Sequence, residues 1–424
     1  MTGARDHALA QLDAIRLPGW PVGLIKRRLP PPRDARDLAL AEQIRVGVIK
    51  NLLWLQVLTE HHSGRNAEKI DPLVRKIIAV GLYQLRFLTR VPPRAAVDEA
   101  VEQARRYGHT KAAGFVNAVL RNATRNPDPD DVPEAVKLSH PALLYQRILR
   151  LTEGDEEAAL ALCRRHNDEP PLIVRLAPGR STIDLAADAP AGMTVRPHEA
   201  PGMAVVEGAT RALLADWAGR GVAQVQDPTS AAVVALLDVQ PGQTVLDRCC
   251  GVGTKTMQLS DLVGPGGRVF AIDPKTDRCQ TLRDTLARRG CSHVSVIEAG
   301  WIKPLADVLP RQFDRVLVDA PCGNSGVLIR RAEARYHQSA GAIRSLTKLQ
   351  KDILADTAPL VGSGGLLVYS TCSLWPEEND RMADWFAANH DDFVEIHRRT
   401  TLPTTGRNPV EHHDGGFAVA FRRR

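Results

Sequence analysis

The sequence contains no run of about eighteen apolar residues, so it offers no segment long enough to cross a membrane as a helix. Its first stretch, MTGARDHALAQLDAIRLPGW, has no continuous apolar region of the kind that a secretory signal requires. We therefore expect neither secretion nor membrane insertion.

Paired cysteine spacing is also absent. The 424 residues include seven cysteines, and no two of them form a C-x-x-C pair. An odd number without such spacing suggests neither a zinc site nor a disulfide framework. The pattern predicts reduced thiols in the cytoplasm and no bound metal.

Charge is distributed unevenly along the chain, whose net charge is +6. Residues 1–137 hold 22 Lys and Arg against 15 Asp and Glu, whereas the remainder holds 33 against 34. A localised basic surface is typical of proteins that bind nucleic-acid phosphates. A solvated basic surface without a partner would give the same pattern, so charge alone leaves both interpretations open.

The first third of the chain has a helical pattern. In residues 38–61, for example, apolar side chains recur at spacings of three and four, which predicts an all-α domain over residues 1–130. The Pro- and Asp-rich stretch NPDPDDVPE then predicts a linker. Residues 135–222 mix helical stretches with short strand-like pieces, PLIVRLA and MTVRP, and we interpret them as a small α+β domain.

From residue 223 onward, strands and helices alternate. Apolar strands such as RVFAID and GLLVYSTC are interleaved with amphipathic helices, which indicates a parallel sheet covered on both faces. FVEIHRR and GGFAVAFRRR predict a terminal pair of strands. The predicted fold class is therefore multidomain, with a Rossmann-like α/β domain over residues 223–424.

A glycine turn follows the first strand of that domain, in DRCCGVGTKTMQL. Gly251 and Gly253 let the backbone approach a ligand closely, and the following helix N-terminus favours a carboxylate or phosphate. Cys249 and Thr254 stand where a Walker P-loop requires glycine, and Thr256 stands where the dinucleotide fingerprint requires it. The turn is thus neither of these two motifs.

Polar and reactive side chains follow several of the predicted strands. In a doubly wound sheet the ligand site lies at the carboxyl ends of the strands. Five candidate site residues fall at such ends: Asp247, Asp273, Asp319, Cys322 and Cys372. Asp273 lies 22 residues past the first glycine of the turn, a spacing typical of a carboxylate that binds ribose hydroxyls. The alternatives are a plain strand-to-helix turn, a surface aspartate and buried structural thiols.

Four motifs carry a family resemblance. VDAPCGNSG is similar to D-A-P-C-S-G-x-G, YSTCSLWPEEN to T-C-S-x-x-P-E-E-N, LDRCCGVGTKT to L-D-x-C-A-A-P-G-G-K-T, and VQDPTS to Q-D-x-x-S. Over nearly its full length the chain resembles the bacterial Sun/RsmB family of RNA cytosine-C5 methyltransferases. Its N-terminal helical region resembles the NusB-like RNA-binding domain of that family.

The resemblance implies a class I methyltransferase domain, S-adenosylmethionine as methyl donor and RNA as substrate, with 16S ribosomal RNA expected. It implies a monomer whose basic helical domain holds RNA phosphates. By the family pattern the cofactor-binding residues are Cys249, Cys250, Gly251, Val252, Gly253, Thr254, Lys255, Asp273 and Asp319.

The same resemblance implies the catalytic roles. Cys372 is the nucleophile that adds to C6 of a flipped cytosine, and Cys322 assists proton removal or product release. Asp319 hydrogen-bonds or protonates the N3/N4 edge of the base. Lys255 lies close enough to lower the pKa of a thiol.

The sequence departs from the family at several of these positions. Val252 and Thr254 stand where Pro and Gly are usual, Ala299 where an acid is common, and Gly323–Asn324 where Ser–Gly is usual. One alternative is therefore a catalytically silent RNA-binding or ribosome-assembly paralogue. Another is a DNA cytosine methyltransferase, in which Cys322 would be the nucleophile and Cys372 would have no role.

Overall fold

A computed structural model describes residues 3–26, 29–301 and 309–424 of the chain. Contacts divide the chain into two compact units. Unit 1 comprises Met1–Asp168 and Leu328–Gln338, and unit 2 comprises Glu169–Val327 and Ser339–Arg424. The three domain boundaries expected from the sequence stay a prediction. Within the described ranges, no helix is both long and apolar enough to cross a bilayer.

Unit 1 is built from helices around one apolar core. The helices are α1 (Ala4–Ala14), α2 (Ala35–Lys50), α3 (Leu52–Ser63), α4 (Pro72–Phe87), α5 (Pro93–Arg106), α6 (Ala113–Arg125), α7 (Glu134–Lys137), α8 (Ala142–Leu151) and α9 (Glu156–Asn167). Helix α4 is central, because every residue from Leu73 to Gln84 is buried. Asp71 caps its first turn, and Pro72 occupies a position where the missing N–H costs no hydrogen bond.

The helical pattern over residues 38–61 contains a break that the periodicity did not show. Helix α2 ends at Lys50 and α3 begins at Leu52, with Asn51 between them at φ −114° and ψ 16°. The Asn51 Nδ2 donates to the carbonyl of Gly47 at 2.9 Å. Asparagine competes with the helix in this way, and apolar spacing carries no information about it.

Residues 328–338 pack into unit 1 although they lie within the sequence of the α/β domain. Arg335 on this segment is fully buried. Its guanidinium donates to the carbonyl oxygens of Lys50 at 3.0 Å and His166 at 2.6 Å, and to Asn167 Oδ1 at 2.7 Å. The sequence analysis gave no sign of this anchoring.

Unit 2 begins with a four-stranded antiparallel sheet in the order β2-β3-β1-β4. Its strands and helices are β1 (Ile173–Leu176), α10 (Thr182–Asp188), β2 (Thr194–Pro197), β3 (Met203–Glu207), α11 (Arg211–Arg220) and β4 (Ala223–Val225). The strand-like pieces PLIVRLA and MTVRP correspond to β1 and β2. The other four elements were not singled out from the sequence.

The rest of unit 2 is a seven-stranded sheet in the order β10-β11-β9-β8-β5-β6-β7. Strands β5 to β9 are parallel, and β10 and β11 are antiparallel. The elements are α12 (Pro228–Ala235), β5 (Thr244–Asp247), α13 (Thr254–Val263), β6 (Arg268–Asp273), α14 (Thr276–Arg289), β7 (Val294–Glu298), β8 (Phe313–Asp319), α15 (Ala340–Thr357), β9 (Val361–Thr371), α16 (Asp380–Asn389), β10 (Phe393–Thr401) and β11 (Gly416–Arg423). The predicted α/β class and the terminal strand pair are confirmed.

The parallel strands place the candidate residues at one edge of this sheet. Strands β5, β6 and β8 end at Asp247, Asp273 and Asp319, and Cys372 directly follows β9. Apolar clusters pack against both faces of the sheet, so the carboxyl ends of the parallel strands are the edge at which a ligand site is expected.

Candidate active site

Two thiols meet at the ends of adjacent strands. Strands β8 and β9 are parallel neighbours, so the turns that follow them come together. The Cys322 Sγ lies 3.0 Å from the Cys372 Sγ, although fifty positions separate the two residues. The remaining cysteines lie elsewhere, and this pair is the one that the strand-end argument selected.

The two thiols differ in their hydrogen bonds. The Cys372 S–H donates to Asn324 Oδ1 at 3.2 Å, so the proton shared between the sulfurs belongs to Cys322. The hydrogen bond with Cys372 and then burial raise the pKa of Cys322 well above its usual value. Cys322 is therefore a neutral thiol that donates toward the sulfur of Cys372.

Asn324 is a residue of this site that the sequence analysis did not assign. Its backbone has a φ of 59°, a left-handed conformation that asparagine tolerates better than most residues. Its Nδ2 donates to the carbonyl of Cys322 at 2.9 Å, which aims the amide oxygen at Cys372. The sequence did offer one indication of its role, since asparagine stands here at a position where the family usually has glycine.

Glu378 links the turn that contains Cys322 to the turn that contains Cys372. The sequence analysis did not assign this residue to the site either. Its fully buried carboxylate accepts from the backbone N–H of Gly323 at 2.9 Å and from Ser373 Oγ at 2.5 Å. The Gly326 N–H donates to the carbonyl of Cys372 at 2.9 Å. These bonds fix the spacing of the thiols, and the P-E-E-N letters of the motif were the signal for them.

A charged pair stands beside the thiols. The Lys255 Nζ donates to Asp319 Oδ2 at 2.7 Å, and Ser370 Oγ donates to Asp319 Oδ1 at 2.6 Å. Burial opposes the lysine charge, but the charge and hydrogen bond of Asp319 outweigh it and raise the pKa of Lys255. The sulfur of Cys372 interacts electrostatically with the same ammonium group.

The glycine turn requires both of its glycines. Gly253 has a φ of 93°, and a Cβ there would lie 2.2 Å from Leu282 Cδ1. Gly251 has a φ of 55° and borders open space, and its N–H donates to Asp273 Oδ2 at 3.1 Å. The spacing between the turn and Asp273 thus reflects a direct contact, and the open side of Gly251 leaves room for a ligand.

The other residues predicted to bind cofactor are placed differently. The side chains of Cys249 and Cys250 are buried in the core, where burial raises the pKa of both thiols, so only their backbones can face a ligand. Val252 is 54% exposed at the tip of the turn, and Thr254 begins α13. Asp247, the last residue of β5, is buried, and burial raises its pKa to about 7.

Outside this site, the ligand atoms of Asp227, His412 and Asp414 lie within 4.8 Å of one another, a spacing that would allow a metal ion. The expectation of no metal stays a prediction.

Comparison with known proteins decides the family. Residues 234–417 match the family described as 16S rRNA methyltransferase RsmB/F, and residues 22–125 match the NusB family. The chain is 30% identical to the Probable ribosomal RNA small subunit methyltransferase B of Bacillus subtilis, covering 100% of this chain and 99% of that protein. The chain belongs to this family of ribosomal RNA methyltransferases. Its Escherichia coli O7:K1 relative is 32% identical over 90% of each chain.

Solved structures show the same fold. The crystal structure of PH0851 has a TM-score of 0.79 at 21% identity and covers 92% of this chain and 91% of that one. A methyltransferase homolog protein from Pyrococcus horikoshii has a TM-score of 0.56 at 24% identity, over 69% of this chain and 98% of that one. Together with the two family matches, this shared fold confirms the methyltransferase fold and the NusB-like region that the sequence resemblance predicted.

Proposed function

We propose that this RsmB/F-family chain transfers a methyl group from S-adenosylmethionine to C5 of a cytosine in small-subunit ribosomal RNA. The observation that carries the proposal is the pair of thiols 3.0 Å apart, beside the Lys255–Asp319 pair. Cytosine C5 is a poor nucleophile until a thiolate adds to C6 and makes the ring electron-rich at C5. Such chemistry needs one attacking thiol and a second group for release.

The geometry supports Cys372 as the attacking thiol. The Cys322 S–H and the Lys255 ammonium both favour negative charge on the Cys372 sulfur, since donors and cations stabilise a thiolate. Cys322 is held protonated, because its pKa is raised, and a protonated thiol is not a nucleophile. Of the two cysteines, Cys372 is therefore the one that we assign as the nucleophile.

Release requires loss of the C5 proton followed by cleavage of the bond between C6 and the Cys372 sulfur. Cys322 is assigned to assist this step, because its S–H donates toward the leaving sulfur. As the C6–S bond breaks, Cys322 passes its proton to the Cys372 sulfur and takes the C5 proton in its place, so both cysteines end as thiols. Asp319 is assigned to the N3/N4 edge of the base. Lys255 and Ser370 fix the orientation of its carboxylate.

The residues present fit S-adenosylmethionine at the glycine turn. Gly251 leaves open space beside the backbone, the N-terminus of α13 follows, and Asp273 contacts the turn. When bound, S-adenosylmethionine supplies an electrophilic methyl group. Ala299 removes one acid that the family commonly has, so we expect the remaining contacts to carry the binding.

The N-terminal helical region supports RNA as the substrate. It matches the NusB family and carries the basic excess of the chain. Phosphate contacts of this kind give affinity and position but no sequence specificity. Action as a monomer in the cytoplasm belongs to the same proposal.

Methyl transfer to a defined RNA tests the function. Purified protein is incubated with isotope-labelled S-adenosylmethionine and a small-subunit ribosomal RNA transcript, and the RNA is digested to nucleosides for mass spectrometry. The expected product is labelled 5-methylcytidine. Label in a different nucleoside would sink the cytosine-C5 assignment.

The silent paralogue is the second candidate, favoured by Val252, Thr254 and Ala299. Calorimetry with S-adenosylmethionine separates the two. Absence of cofactor binding at millimolar concentration, together with retained RNA binding, would establish the paralogue instead.

A further inference from the structure

A cavity lies in unit 2, and no residue of the thiol pair or of the glycine turn lines it. Its volume is about 320 Å³, which is within the usual range for small-ligand sites. It is bounded by the loop between β2 and β3, by α12, and by the β10–β11 hairpin with the loop that joins those strands.

The cavity lies against the part of one β11 face that carries small side chains, before Arg422 on the same face. At alternate positions these are Gly416, Ala418 and Ala420. Their cross-strand partners on β10 carry polar groups and are Thr401, Arg399 and His397. The small residues leave space that larger ones would fill, and the polar residues form one wall of it.

Arg399 supplies an unengaged positive charge. It is exposed, and among the described residues no carboxylate pairs with it. Its neighbour Arg398 differs, since it pairs with Glu395 at 2.6 Å and with Asp384 at 2.8 Å. The charge of Arg398 is therefore neutralised by carboxylates, whereas Arg399, which lines the cavity, is available to bind an anion.

The rest of the lining is suited to more than an anion. Val233 and Leu236 add apolar surface against which a flat ring can lie. Glu199 and Glu411 also line the cavity and offer carboxylate acceptors for exocyclic amino groups. His413 donates its Nδ1–H to the Asp414 carbonyl at 3.3 Å, which leaves Nε2 as an acceptor. A cation, an apolar wall and acceptors together match a nucleotide better than free phosphate.

The cavity adjoins the attacking thiol along the backbone. A Cβ added to Gly416, in the cavity wall, would lie 2.9 Å from the Thr371 carbonyl and 3.8 Å from the Cys372 Cα. The cavity wall at Gly416 thus lies beside the backbone of Cys372, which is close enough for a nucleotide near the target cytosine to reach the cavity.

We propose that this cavity binds one unstacked nucleotide of the RNA substrate, close in the strand to the target cytosine. Its base lies against α12, and its phosphate contacts Arg399. This inference rests on the proposed function, since it takes the substrate to be RNA. It adds a second single-strand contact, which would require the substrate to be unpaired at that nucleotide as well as at the reacting base.

Two substitutions test the cavity through kinetics. Arg399→Ala removes the charge, and Ala232→Phe fills the space from an exposed position on α12 that lines the cavity. Each is expected to raise the KM for a small-subunit ribosomal RNA transcript about fivefold to tenfold, with kcat and the KM for S-adenosylmethionine unchanged. Arg399→Ala should also reduce the salt slope of RNA binding by about 0.7 to 1.

Matched controls lie elsewhere on unit 2. Arg268→Ala removes an exposed arginine at the first residue of β6, the edge opposite the carboxyl ends. Ala355→Phe enlarges an exposed alanine on α15, which packs on the other face of the sheet. Both should leave the KM for RNA unchanged. Equal effects of the cavity variants and the controls would overturn the proposal.

Cross-linking separates this proposal from the methyltransferase proposal, because it does not require turnover. A transcript containing 4-thiouridine is irradiated with the full-length protein, and cross-linked peptides are identified by mass spectrometry. Cross-links to residues 228–236 or 397–401 that disappear in Ala232→Phe support the cavity even if no methyl transfer is detected. Active enzyme without these cross-links overturns the cavity alone. Calorimetric binding of cytidine monophosphate without RNA cross-links would also overturn it, by making the cavity a small-molecule site.

Discussion

At the scale of single residues, two sulfurs fifty positions apart carry the proposed chemistry, and replacing each should have a different result. Cys372→Ala should abolish methyl transfer and any covalent complex with RNA. Cys322→Ala should allow the adduct to form but slow its release, because the group assigned to release is missing. A protein–RNA band that survives a denaturing gel measures the adduct. A band with Cys372→Ala but not with Cys322→Ala would reverse the two roles.

Asn324 offers a second test at this scale, through the reactivity of Cys372. Asn324→Asp places a negative charge about where the amide oxygen lies, 3.2 Å from the sulfur, and should slow alkylation of Cys372 about tenfold near neutral pH. Peptide-resolved mass spectrometry of iodoacetamide labelling measures that rate.

Asn324→Gly is the matched control for the backbone, because glycine adopts the φ of 59° without strain and removes only the side chain. Its alkylation rate should equal or exceed that of the unchanged protein, since the acceptor that favours the neutral thiol is lost. Equal rates for the Asp and Gly variants would show that Asn324 has no influence on the thiol.

At the scale of elements, Glu378 sets the distance between the turns after β8 and β9. Glu378→Gln removes a charged acceptor that binds Gly323 and Ser373, so the turns should separate and the reacting groups should lose alignment. We expect kcat to fall by on the order of 10²-fold. Steady-state kinetics measures it, with the exposed Asp391→Asn as the control that should change nothing. Retention of full kcat in Glu378→Gln would contradict the bracing role.

At the same scale, the sequence predicted most strands and their ends. The segment RVFAID is β6, GLLVYST forms the end of β9, and the terminal pair is β10 and β11. Local patterns suffice there because buried strands are continuous apolar runs. The break at Asn51 was missed because its cause is one side chain bonding to a backbone carbonyl, which leaves the apolar spacing intact.

At the scale of the whole molecule, unit 1 contains a buried imidazole pair that should make stability depend on pH. The His140 Nε2 and His166 Nδ1 lie 3.0 Å apart, and burial, reinforced by the charge of Arg335, lowers the pKa of both well below the usual value of 6.5. Below pH 6.5 the unfolded chain binds protons at these rings and the folded chain does not. The stability that depends on these two neutral rings is therefore fully present above pH 6.5 and is lost as the pH falls below it.

The loss should amount to about 1.4 kcal/mol per pH unit for each ring. Calorimetric unfolding of the full-length protein over a series of pH values measures it. His140→Asn should reduce the slope of the unfolding free energy against pH, whereas His61→Asn, which replaces an exposed ring, should leave that slope unchanged. An unfolding temperature independent of pH below 6.5 would contradict the neutral buried pair.

The sequence by itself determined the α/β order of residues 223–424, the glycine turn, the spaced Asp273 and the two cysteines at the ends of adjacent strands. These features follow from the apolar periodicity and from the spacing of residues along the chain, both of which can be read from the sequence. Only the tertiary structure decided that Asn324 and Glu378 position the thiols, that residues 328–338 pack into unit 1, and that a cavity lies against the small residues of β11. Those outcomes depend on contacts between side chains distant in sequence, and such contacts arise only when strands pair and helices pack.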